Sequence, residues 1–174
     1  MLKRILCWFF TFIVILAISG TAMARDTYLD LNYNCSKYGA YYANNLTSDP
    51  YGFVRCQCTS YAAKKMNEHK VKLHNTKYKV PTRNYRKWGN AANWYYVAKE
   101  AGISTGKTPK KRDIAWWSSS SRPKYGHVAY VEKVNSDGSI TISDYNYKKY
   151  SYSTATLKKG SKSWPNGFIH FGAK

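Results

Sequence analysis

Cys58, in the stretch Gln57-Cys58-Thr59-Ser60-Tyr61-Ala62-Ala63, and His127, in Gly126-His127-Val128-Ala129-Tyr130-Val131-Glu132, are residue types that together can perform nucleophilic catalysis. That chemistry needs a thiolate and an imidazole that takes and returns a proton, and the two commonly lie far apart in sequence. The order along the chain is cysteine, then histidine, then two polar residues, Asp144 and Asn146, able to orient the imidazole.

Each of these groups must be delivered by a suitable element. Tyr61, Ala62 and Met66, with the helix formers Ala63, Lys64 and Lys65, predict an amphipathic helix from Cys58 to about Glu68. Cys58 then stands at the helix N-terminus, where the partial positive charge and free N–H groups favour a thiolate. Cys35 and Cys56 have no such setting. His127 opens a strand predicted over 127–134, its partner strand covers 139–145, and Asn135-Ser136-Asp137-Gly138 supplies the turn. In that antiparallel hairpin, residues near 127 face residues near 146, so either Asp144 or Asn146 reaches the ring. His69, His74 and His170 lack this arrangement and read as an exposed pair on a basic segment and a strand residue near the C-terminus.

A second helix is predicted from an Asn90 cap through Ala91, Trp94, Tyr95, Ala98 and Ala101, with Gly102 as its stop. Trp94 reads as core, whereas Trp88 and Trp117 are candidate substrate-binding aromatics. Further strands are expected at 113–117 and 167–171, with another over 150–156 in a Tyr-, Ser- and Lys-rich stretch that reads as a surface loop or edge hairpin. Helices first and sheet second make an α+β chain, with N-terminal helices packed on a C-terminal antiparallel sheet.

The ends of the chain bear on compartment. Lys3 and Arg4 precede an apolar run from Ile5 to Gly20, then Ala22-Met23-Ala24 and Arg25, the pattern of a cleaved secretory signal over residues 1–24. A membrane anchor is the competing reading, but the apolar run is short and no stop-transfer charges follow it. Residues 25–174 are then expected to form a single exported domain, in the periplasm, the cell envelope or outside the cell. Cys35, Cys56 and Cys58 remain after cleavage, an odd number that in an oxidising compartment suggests one bridge and one free thiol. Cys56 and Cys58 are too close in sequence to bridge each other readily, so Cys35 pairs with one of them if it pairs at all. A zinc site is disfavoured because C-x-C with one remote cysteine lacks the usual paired spacing. The formal net charge of +19 raises the local concentration of any polyanion. Nucleic acid is the weakest of these, since the basic residues are scattered and no nucleic-acid module is recognisable.

The chain resembles a CHAP domain, the cysteine, histidine-dependent amidohydrolase/peptidase family related to papain-like and NlpC/P60 peptidases. The matching elements are Gln57-Cys58-Thr59 opening a helix, Trp88-Gly89-Asn90-Ala91-Ala92-Asn93-Trp94, Asp113-Ile114-Ala115-Trp116, Gly126 to Glu132, and Ile142-Ser143-Asp144-Tyr145-Asn146. The resemblance implies a papain-like fold with Cys58 as nucleophile, His127 as base, and the orienting position on Asp144 with Asn146. Asp144 stands where the family usually has Glu, one methylene longer, so either Asp144 approaches more closely or Asn146 takes over the ring. Asp144 is the preferred orienter, Gln57 is a candidate second oxyanion donor beside the Cys58 N–H, and Cys58 as nucleophile favours a Cys35–Cys56 bridge. Some members hold calcium in an acidic loop before the cysteine, but only Asp49 lies nearby here, with Arg55 in place of further carboxylates; neither metal nor cofactor is expected.

The family mostly cleaves peptidoglycan, at the muramoyl-L-alanine amide or within the peptides. The resemblance therefore implies a secreted peptidoglycan hydrolase, monomeric and without stable membrane insertion, for which an inhibitor or immunity protein is a candidate partner. Two other readings compete: a non-catalytic wall-binding or adhesion protein, favoured if Cys58 is bridged, and a toxin acting by charge alone.

Overall fold

The computed structural model describes residues 33–76, 87–120 and 124–172, so the signal reading of residues 1–24 lies outside the described residues. Among these, helix α1 spans Cys35–Asn44, α2 Cys58–Glu68 and α3 Trp94–Glu100, and a single 3-10 turn at Ala91–Asn93 leads into α3. The strands are β1 Ser104–Gly106, β2 Ile114–Trp117, β3 His127–Val134, β4 Ile140–Tyr145, β5 Tyr152–Leu157 and β6 Gly167–His170. They form one antiparallel sheet in the order β1-β6-β2-β3-β4-β5. The architecture is α+β, helices before sheet.

Alternation along the strands divides the sheet's side chains between two faces. One face carries Ile114, Trp116, Val128, Tyr130, Tyr145 and Ile169 and is covered by Tyr61, Ala62, Ala63 and Met66 of α2 with Trp94, Val97 and Ala98 of α3. The other carries Ala115, Trp117, Ala129, Val131, Ile140, Ile142 and Phe168, packed against Leu157 and Trp164. Helix α2 is also pinned by polar contacts: Tyr61 Oη donates to Ser143 Oγ at 2.9 Å, and Ser143 Oγ donates to Glu132 Oε1 at 2.7 Å. The register between β3 and β4 shifts at Glu132, a bulge that brings this carboxylate to Lys65 of α2 at 3.5 Å.

Three features depart from the sequence expectations. Helix α1 was not among the expected elements; its first residue, Cys35, is fully buried and carries the expected bridge to Cys56. The expected single helix from residue 91 is split, because Trp116 Nε1 donates to Ala91 O at 2.9 Å and Ala92 N–H to Tyr125 O at 2.8 Å, tying its first turn to the sheet. Trp88 and Trp117 are not surface aromatics. Both are fully buried, Trp88 against Trp94 and Phe171, and Trp117 with Nε1 donating to Ser163 O, so neither offers a face to a substrate.

The start of β3 depends on Gly126. Its φ is +68°, and a Cβ there would lie 2.6 Å from Ala92 N and 2.7 Å from Trp117 O, both backbone atoms that cannot swing away. Gly126→Ala is expected to lower stability by about 3 kcal/mol through left-handed strain and overpacking together, as urea unfolding of the two proteins will measure; a loss below about 0.5 kcal/mol would contradict the packing described.

Candidate active site

Cys58 begins α2 after Gln57, whose backbone is extended (φ −110°, ψ 160°). No side chain caps this helix and its first turn holds no acidic residue, so the amide N–H groups at the sulfur are not consumed by a cap. The preceding segment fixes where the turn begins. Asp49 Oδ1 accepts from the N–H groups of Tyr51 and Phe53 at 2.8 and 2.9 Å, and its Oδ2 accepts from Ser60 Oγ at 2.5 Å. Burial raises the Asp49 pKa against the hydrogen bonds from Ser60, Phe53 and Tyr51. Cys56, bonded to Cys35, takes a left-handed φ of 61° and closes the same segment from the other side. Cys58 is a half-buried free thiol.

On the sheet, Trp117 pairs directly with His127, and Asp144 pairs with Ser153. With Tyr130 paired to Ser143, Asp144 falls diagonal to His127 rather than directly across from it, and alternation puts Trp117, His127, Asp144 and Ser153 on the same side of their strands. His127 Nε2 lies 3.1 Å from Asp144 Oδ2, and Ser153 Oγ donates to Asp144 Oδ1 at 2.5 Å. The ring is packed between Trp117 and Tyr147, with centroids at 5.6 Å from each. With Nε2 occupied by Asp144, Nδ1 is the nitrogen left for sulfur, and the imidazole is hydrogen-bonded to Cys58. Burial alone would push the imidazole pKa down; the charge on Cys58, the hydrogen bond to Asp144 and that to Cys58 outweigh it and raise His127 to about 9. The arrangement can hold a thiolate beside an imidazolium.

Of the two orienting candidates, the structure brings Asp144 to His127. Asn146 goes elsewhere: its Nδ2 donates to Gln57 Oε1 at 2.7 Å, and its Oδ1 accepts from Tyr150 N–H at 2.7 Å. Gln57 Nε2 is buried without a hydrogen-bond partner among the described residues. The sequence reading missed Ser153, whose place opposite Asp144 depends on the β4–β5 register, and Tyr147, which is 55% exposed beside His127. It also missed the role of Asp49 in closing the segment before Cys58.

The remaining histidines sit apart from this site. His69 is half-buried and stacks on Tyr130, His74 shares a 3.0 Å contact with Thr76 Oγ1, and His170 Nδ1 lies 2.9 Å from Asp113 Oδ2. The first two are therefore less exposed than expected. Among the described residues no three His, Cys, Asp or Glu side chains gather as metal ligands. Asp49, the carboxylate nearest the calcium-loop position, already has both oxygens hydrogen-bonded within the protein.

Parts of the chain are similar to known proteins. Staphylococcal secretory antigen ssaA2 of Staphylococcus aureus (strain NCTC 8325 / PS 47) is 44% identical over 85 residues, 48% of this chain and 30% of that protein. A probable autolysin LDP of the same organism is 47% identical over 64 residues, 37% of this chain and 22% of the autolysin. The chain thus matches less than a third of the length of either relative. Among solved structures, an N-acetylmuramoyl-L-alanine amidase from Staphylococcus aureus aligns with a TM-score of 0.55 and 29% identity, covering 71% of this chain and 32% of the amidase. The CHAP domain itself matches residues 46–146, from the Asp49 segment through Asn146, and the chain belongs to the CHAP domain family.

Proposed function

We propose that this protein is a secreted peptidoglycan hydrolase that cleaves an amide bond, as an N-acetylmuramoyl-L-alanine amidase or a peptide endopeptidase, through a Cys58 thioester. The observation that carries the reading is the free Cys58 at an uncapped helix start, facing an imidazole that Asp144 holds from its other nitrogen. The names of the relatives, an autolysin and an amidase, support the substrate class, and the cationic chain suits an anionic envelope. Export rests on the signal pattern of residues 1–24 and on the secretory name of a relative. Among the described residues no helix is long and apolar enough to cross a membrane.

In this mechanism the Cys58 thiolate attacks the amide carbonyl carbon, and its electron pair forms the C–S bond while the carbonyl oxygen takes the negative charge. The Cys58 backbone N–H and Gln57 Nε2 stabilise that oxyanion. Collapse breaks the C–N bond as imidazolium His127 gives its proton to the departing amine. Water then attacks the thioester with His127 as base, and the carboxylate product leaves as the thiolate returns. Asp144 holds the ring and stabilises the imidazolium, with Ser153 fixing the carboxylate from its other oxygen. Tyr147, exposed against His127, is the aromatic best placed to contact substrate. The free state of Cys58 weighs against the non-catalytic alternative.

Three outcomes are expected. Purified peptidoglycan digested by the protein will release fragments, identified by mass spectrometry, that disappear with Cys58→Ala; digestion that persists would leave a charge-driven or other activity instead. Imidazole titration followed by NMR will show His127 losing its proton near pH 9 and at a lower pH in Cys58→Ala. Because this folded value lies above the ordinary 6.5, His127 contributes stability that is full below about pH 6.5 and is lost as pH rises through about 9, and the amine-protonating form disappears over the same upper range. Tyr147→Ala will raise KM for peptidoglycan by roughly tenfold with kcat little changed, the mark of lost ground-state binding.

A further inference from the structure

We infer that Asn146 is a positioning residue for the Gln57 amide, setting which end of that amide meets the reacting carbonyl, and that it does not act through His127. The inference rests on the thioester mechanism proposed above. An amide side chain presents either a donor or an acceptor, and its neighbours decide which. Here the polarity is set from the backbone. The Tyr150 N–H can only donate, so the Asn146 atom at 2.7 Å from it is the oxygen. That turns Asn146 Nδ2 outward, 2.7 Å from Gln57, so the Gln57 atom facing it is the oxygen, Oε1. Gln57 Nε2 is therefore left on the far side as a donor, buried and unpartnered among the described residues, on the residue that precedes Cys58.

The elements around Asn146 hold this relay in place. Asn146 leaves β4 at a φ of 62°, a left-handed conformation that asparagine tolerates better than most residues. Its backbone N–H donates to Ser151 O at 2.9 Å, and Tyr145 Oη donates to Tyr150 O at 3.0 Å, so both ends of the 146–151 loop are tied. The Tyr150 ring packs directly over Gly39 of α1, where a Cβ would lie 2.4 Å from the ring. A buried donor without a partner is costly in the resting protein. When the carbonyl oxygen becomes an oxyanion, that donor gains a charged acceptor, so the interaction is stronger in the transition state than in the ground state. The spacing of Asp144 and Asn146 then has a divided purpose: the first fixes the proton carrier, and the second fixes the oxyanion donor.

A double-mutant cycle on the full chain tests this, with initial rates of release from dye-labelled purified peptidoglycan and, separately, the pH dependence of Cys58 alkylation by iodoacetamide. Gln57→Ala is expected to lower kcat by about 10² and Asn146→Ala by roughly tenfold or more, each with alkylation and its pH profile unchanged. Asn146→Ala introduced into Gln57→Ala should cost nothing further, since its target is gone. Asn146→Asp keeps the acceptor for Tyr150 N–H but has no donor for Gln57 Oε1, so the Gln57 amide turns its NH2 to the new carboxylate and its oxygen to the substrate; kcat should fall by at least as much as in Asn146→Ala. Multiplicative losses in the double mutant, as a residue that merely closed the turn would produce, overturn the inference, as does an alkylation profile shifted by Asn146→Ala, which would mean that it acts on His127. If Cys58→Ala digests peptidoglycan as fast as the unaltered protein, the thioester reading fails and this inference falls with it. If Cys58→Ala is inactive but the cycle is multiplicative, only the assignment of Asn146 falls.

Discussion

Everything in the site depends on bringing an uncapped helix start to the end of a β-strand, so that the Cys58 sulfur and the His127 imidazole share a half-buried space. The pairing is electrostatically self-consistent. A buried imidazole resists protonation, and a partly buried thiolate resists charge, but each supplies the opposite charge the other lacks. The raised His127 value of about 9 shows that the attraction, together with Asp144, exceeds the penalty of burial. Without those partners His127 would not keep its proton so far above the ordinary imidazole range.

The surrounding structure serves that juxtaposition from two directions. From the helix side, Asp49 gathers two backbone N–H groups and the Ser60 hydroxyl, while the Cys35–Cys56 bond closes the approach to Gln57. From the sheet side, Gly126 lets β3 start hard against Ala92 and Trp117, while the Trp117 ring and an Asp144 carboxylate held by Ser153 leave the imidazole little freedom. The two halves are joined through Tyr61, Ser143, Glu132 and Lys65, a polar path between α2 and the strands that would be expensive to leave unpaired. The shorter arm of Asp144, where the resemblance implies Glu, is accommodated on the sheet itself. Asp144 reaches His127 at 3.1 Å, and Ser153 engages its second oxygen.

Much of this was legible in the sequence because it follows local rules. The apolar spacing of Tyr61, Ala62 and Met66 marked α2, the Asn135 to Gly138 turn marked the β3–β4 hairpin, and that hairpin alone put position 127 near positions 144 and 146. Helix α1 was not legible, since its placement comes from a disulfide and a ring packed on Gly39 rather than from a stripe of apolar residues. Trp88 and Trp117 were misread as substrate contacts because a large aromatic has the same appearance in sequence whether it lines a cleft or fills a core.

The available chemistry, a thiol at a helix start and an imidazole at a strand start, is already encoded locally, because both positions follow from short-range periodicity and turn residues. How the remaining polar groups divide between them follows from long-range packing instead. Asp144, near the end of β4, and Asn146, just past it, lie two residues apart and could each serve the imidazole on spacing grounds. The left-handed turn at Asn146 and the Tyr150 N–H carry Asn146 to Gln57, while the β4–β5 register sets Ser153 behind Asp144. Hydrogen-bond direction depends on partners far away in the chain, and no local pattern of residues encodes it.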